Sequence, residues 1–121
     1  MSASATIALS AQRVRTSPGE QTTISVIVVN RGSFAEEYML TTRGVDPLWA
    51  TFRPPVLRLP PGGQATVALF LQPPPSTQPA NVSMAVRLVA QRSGAIVAEA
   101  PLTIAMLPEG SAALNLPAAG G

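Results

Sequence analysis

The chain has 121 residues, 46% of them apolar and 12% charged, with eight Arg, six acidic residues and no Lys, His or Cys. That is one domain's length with room for one core, and the missing residue types remove the usual general bases, thiol nucleophiles, zinc–thiolate sites and disulfides. A net charge of +2 on scattered Arg, with aromatics at 4%, lacks the basic stripe and stacking platforms of nucleic-acid binders, and no apolar run reaches the ~18 residues of a membrane span.

The opening MSASATIALSAQ has no cationic segment, long apolar run or cleavage pattern of a secretory leader. A complete chain is therefore expected in the cytoplasm; a piece of a longer protein is also compatible with the cell surface. Ile7 and Leu9 begin a period of two. After the turn SPGE (Ser17–Glu20) comes a strand with Ile24, Val26 and Val28 on one face and Thr23, Ser25, Ile27 and Val29 on the other. It closes at VNRG, and Tyr38, Leu40 and Thr42 alternate next. Glu36 and Glu37 are adjacent on that strand and point to opposite faces, so they make no acid–base pair. Asp46, before Pro47, reads as a turn residue bonding its local backbone.

Trp49 follows, then RPPVLRLPP (Arg53–Pro61), in which two Pro pairs bracket a short alternating strand. PPGGQATVALFL (Pro60–Leu71) then repeats SPGEQTTISVIV (Ser17–Val28) at an offset of 43 positions. Val67, Leu69 and Leu71 alternate there against Thr66, Ala68 and Phe70. Beyond QPPPSTQP come Met84, Val86, Leu88 and Ala90, the turn RSG, and Ile96, Ala98, Ala100, Leu102, Ile104 and Met106. From Pro108 the chain is rich in Ala, Gly and Pro without a strand period, as in a linker. The expected division is a domain over 1–107 and a tail over 108–121.

About seven strands and no helical period predict an all-β, immunoglobulin-like Greek-key β-sandwich. The repeated phrase predicts two neighbouring strands of one sheet, each entered through a Pro-Gly turn of type II. The predicted core is Ile24, Val26, Val28, Tyr38, Trp49, Val67, Leu69, Leu71, Val86, Leu88, Leu102 and Ile104. That assignment turns Ile27, Val29, Ala68 and Phe70 outward on neighbouring strands, a candidate apolar interface. Cover by the tail or the N-terminal strand, or a bulge that swaps faces, is the alternative.

The order of these signals resembles a family of bacterial and archaeal Ig-like modules found beside alpha-galactosidases and in CARDB-type adhesion arrays. The resemblance runs over residues 5–106 and rests on Pro18-Gly19, VNRG, EEYML (Glu36–Leu40), Trp49, Pro61-Gly62, LQPPPSTQPA (Leu71–Ala80) and two closing strands. It implies a non-catalytic spacer or interaction module, normally one of several in a longer chain. Expected partners are another protein or a second copy; no cofactor or metal is expected. A carbohydrate- or other ligand-binding sandwich and a chaperone-like, strand-binding domain remain the alternatives.

Overall fold

The computed structural model describes residues 4–107; the predicted tail over 108–121 lies outside them. Nine strands follow one another: β1 (Ala5–Leu9), β2 (Arg13–Thr16), β3 (Thr22–Asn30), β4 (Glu36–Arg43), β5 (Ala50–Arg53), β6 (Val56–Leu59), β7 (Gln64–Leu71), β8 (Ala80–Ala90) and β9 (Ile96–Met106). They form a four-stranded sheet, β1-β3-β7-β5, and a five-stranded sheet, β2-β9-β8-β4-β6. This is the expected all-β, two-sheet sandwich, with two strands more than expected. Both additions, RVRT in β2 and ATFR in β5, are four residues long, as β6 is, but lack the Pro pairs on both sides that mark β6 in the sequence.

The repeated phrase has a geometric cause. β3 and β7 pair antiparallel from Thr22↔Leu71 to Val29↔Gln64. Each is entered through a turn closed by an i→i+3 bond, Glu20 N–H to Ser17 O at 3.0 Å and Gly63 N–H to Pro60 O at 2.8 Å, with Gly19 at φ 84° and Gly62 at φ 76°. Those are type II turns, which require positive φ at the Gly. Each turn then docks on the exit of the other strand: Gly62 N–H donates to Asn30 O at 2.8 Å, and Gly19 N–H to Pro73 O at 2.8 Å. Gly19 and Gly62 stand 43 positions apart, as do Asn30 and Pro73, so a local two-fold axis passes through the Ser25↔Ala68 pair. The same words recur because the same backbone bonds are made twice.

Alternation buries one face of each long strand. Ile24, Val26 and Val28 of β3 and Val67, Leu69 and Leu71 of β7 meet Tyr38 and Leu40 of β4, Val86 and Leu88 of β8, and Leu102 and Ile104 of β9. Full burial of each such side chain contributes about 1.5–3 kcal/mol. Trp49 is not in that buried set. It ends a 3₁₀ turn, Pro47–Trp49, which Asp46 starts by accepting from Leu48 N–H at 3.0 Å, and it sits half-buried at the rim. Tyr38 is the largest fully buried side chain.

The N-terminal segment changes sheets. β1 pairs with β3, and after Ser10–Gln12 the chain runs parallel to β9 as β2. At the other end of β9 the ladder with β8 is shifted between Leu88 and Val89, which puts Ile96 opposite Val89. Even spacing would have kept Ile96 on the inner face with Ala98 and Leu102. The bulge turns it outward instead, 52% exposed.

Candidate functional site

The two outer faces differ. On the four-stranded sheet, Ile27, Val29, Ala68 and Phe70 all lie on the outer face and are half-buried. Directly across the β3–β7 ladder, Ile27 faces Thr66, Val29 faces Gln64, Ala68 faces Ser25 and Phe70 faces Thr23. β5 adds Thr51 beside Phe70 and Arg53 beside Ala68, and β1 adds Thr6 beside Val29. Each apolar side chain thus has a polar neighbour across the β3–β7 ladder, although Ile27 has Ala8 on its β1 side, and the four do not form one uninterrupted row.

The five-stranded sheet carries such a row. Val56 of β6 pairs with Met39 of β4, Met39 with Val89 of β8, and Val89 with Ile96 of β9. Four apolar residues on four successive strands therefore lie side by side, with Cβ atoms about 4.5–5.5 Å apart at each step. Val56 is 44% exposed, Met39 37% and Ile96 52%, and Val89 is half-buried between them. Polar rows border it. Toward one end stand Glu37 and Arg58, 3.9 Å apart, and Gln91. Toward the other, Thr41, Arg87 and Glu99 follow in register. Alternation alone does not reveal the row, because Met39, Val56 and Val89 lie on widely separated strands and Ile96, seven positions after Val89, reaches the face only through a bulge.

Glu99 accepts a hydrogen bond from Arg87 Nε at 2.9 Å and lies 3.3 Å from Arg43 Nε. The bond from Arg87, aided by the charges of both guanidiniums, holds its carboxyl below the usual carboxylate range. A depressed carboxyl adds stability that is present above its unfolded-state pKa and lost as pH falls through the folded one. Wild type should therefore melt slightly above Glu99→Gln at pH 7, and the gap should close as the pH drops through and below the carboxylate range; thermal melts over a pH series check this. The gap is small because the pair is solvent-screened.

One end of the sandwich holds a cleft of about 500 Å³ between the β3–β4 loop and the β8–β9 loop. Tyr38 lines it, and its buried hydroxyl has no hydrogen-bond partner among the described residues. Burial, and secondarily the charge of Glu36, push the phenol pKa up, so it is protonated at neutral pH and can donate. Near the opposite end Leu48, Trp49 and Phe70 line a smaller cleft of about 250 Å³ with Pro73–Pro75. Among the described residues no group of three or more His, Cys, Asp or Glu is placed to hold a metal, and no helix is long and apolar enough to cross a membrane.

No protein-family model matches the chain, and no curated protein matches it in sequence. Solved structures do match. A FixG-related protein from Vibrio parahaemolyticus is similar at a TM-score of 0.59 and 12% identity, over 86% of this chain and 95% of that one. The CupB2 chaperone of Pseudomonas aeruginosa is similar at 0.58 and 14%, over 82% of this chain, which spans about half (55%) of the chaperone. The PapD-like domain 7 of human CEP192 is similar at 0.51 and 13%, over 84% and 85%. The fold is that of the Ig-like, PapD-like sandwiches. At such identities the likeness shows the fold alone.

Proposed function

We propose that the chain is a non-catalytic protein-interaction module, and that the outer face of the five-stranded sheet is its contact surface, taken up by a second copy of the chain. The row Val56–Met39–Val89–Ile96 carries this reading, because a contiguous exposed apolar patch rimmed by polar residues is the usual mark of a protein–protein contact. A two-fold axis along the strands, midway between β4 and β8, makes the face self-complementary. It sets Met39 against Val89 of the second copy and Val56 against Ile96. In the bordering rows it sets Glu37 against Gln91 and Arg87 against Thr41, so these charges meet neutral groups. The resemblance to alpha-galactosidase-associated and CARDB-type modules agrees with such a role, as does the PapD-like fold.

Strand addition, the chaperone-like alternative, is less well supported at β9. β2 pairs with Thr103–Met106, and among the described residues the stretch before it has no hydrogen-bonded neighbour on that side. Thr103 N–H points to that side, since it donates to Gln12 O at 3.0 Å. Pro101, two residues earlier, has the same orientation and no N–H to offer, a device that protects edges.

Met39→Glu is expected to leave the fold intact and abolish association, because two carboxylates would be buried against apolar surface in each dimer. Sedimentation equilibrium of both proteins over a concentration series tests this. A wild type that stays monomeric at millimolar concentration, or a variant that associates as the wild type does, overturns the reading.

A further inference from the structure

The end cleft has features that the sheet face does not explain. Its floor includes the Tyr38 side chain, 1% exposed, whose hydroxyl is without a partner among the described residues. A buried hydroxyl left without a hydrogen bond is disfavoured, and each such group calls for an explanation. Phe34, 61% exposed, stands in one wall. Arg31 and Arg92 rise from opposite walls, and neither forms an ion pair among the described residues.

Both walls are held in place before any ligand arrives. In the β3–β4 loop, Asn30 Nδ2 donates to Phe34 O at 2.9 Å, and Gly32 N–H donates to Asn30 Oδ1 at 2.9 Å. In the β8–β9 loop, Gly94 N–H donates to Ala90 O at 2.8 Å and Gln91 N–H to Glu37 O at 2.9 Å. Preorganised walls reduce the ordering cost of binding. An aromatic face, a recessed donor and two guanidiniums that form no ion pair among the described residues suit a ligand with a flat apolar body and an anionic group.

We propose that this cleft binds a small aromatic carboxylate, with Arg31, Arg92 and the Tyr38 hydroxyl all donating to the carboxylate and Phe34 flanking the ring. Glu36, which also lines the cleft, disfavours dianions and favours a ligand that carries an N–H donor as well. This site is separate from the sheet face and stands or falls without it.

Benzoate is the probe, with benzamide as its uncharged counterpart, followed by amide NMR titration of the whole chain. Benzoate should give saturable shifts at Gly32, Ser33, Phe34 and Ser93, with a dissociation constant of about 1 mM for so small a ligand, and benzamide should bind at least several-fold more weakly. Arg31→Gln with Arg92→Gln should weaken benzoate by about tenfold or more. Tyr38→Phe should keep or raise the melting temperature, since it deletes an unpaired buried hydroxyl, and should weaken benzoate several-fold. Shifts that fail to saturate or that spread over all the arginines overturn the proposal, and so does a double-Gln variant that binds as the wild type does. The arginine variants are on the surface, so they keep the test open should Tyr38→Phe fold poorly.

Discussion

Asn30→Ala is expected to lower the unfolding free energy by about 2–4 kcal/mol, a large share of what a domain of this size has. Asn30 is 1% exposed and ends β3. Its side-chain amide donates to Leu59 O at 3.0 Å and to Phe34 O at 2.9 Å, while its side-chain oxygen accepts from Gly32 N–H. Ala leaves all three backbone groups without that partner, and the Leu59 carbonyl is buried. Asn30→Asp separates this account from simple loss of volume. It keeps the acceptor for Gly32 but turns a carboxylate toward two carbonyl oxygens. It should be no better than Ala at pH 7 and should partly recover as the pH falls and protonation restores one donor. Urea unfolding of the three proteins at pH 7 and pH 4 checks both statements; a loss below about 0.5 kcal/mol for Asn30→Ala would mean that water replaces the amide at little cost.

Gly44→Ala should cost clearly more than Gly62→Ala, about 2–4 against about 1 kcal/mol. Both Gly residues have positive φ, 93° and 76°, so the backbone penalty of a side chain is shared. The surroundings differ. A Cβ at Gly44 would lie 2.7 Å from Ser83 O and 3.1 Å from Met84 Cα, backbone atoms of β8, whereas a Cβ at Gly62 meets nothing within 4 Å. The first substitution must push β4 and β8 apart where they are paired; the second only strains a turn. Equal shifts in urea midpoint for the two variants would show that the β4 exit relaxes freely.

The sandwich was legible in the sequence because its long strands bury one face and leave the other to solvent. That makes Ile24, Val26 and Val28, or Met84, Val86 and Leu88, visible as a period of two. The pairing of β3 with β7 was legible for a different reason, the repetition of a turn that makes the same bonds twice. The short strands RVRT and ATFR lack the Pro pairs on both sides that mark β6. Trp49 was assigned to the core on size, but the turn capped by Asp46 holds it at the rim. On the functional side the sequence pointed to Ile27, Val29, Ala68 and Phe70, since neighbouring positions on known strands are all that alternation reveals. The Val56–Met39–Val89–Ile96 row needed strand order, register and a bulge, none of which local spacing encodes. The end cleft likewise joins residues from two loops around a Tyr whose place in β4 says nothing of its unpaired hydroxyl.

The most direct test of an interaction face on the five-stranded sheet is a dilution series of the methyl-labelled chain followed by NMR. The methyl signals of Met39, Val56, Val89 and Ile96 should shift with concentration, while those of Ile27 and Val29 on the opposite sheet stay fixed. Shifts confined to Ile27 and Val29, or signals that are constant over the whole range at all six residues, would contradict it.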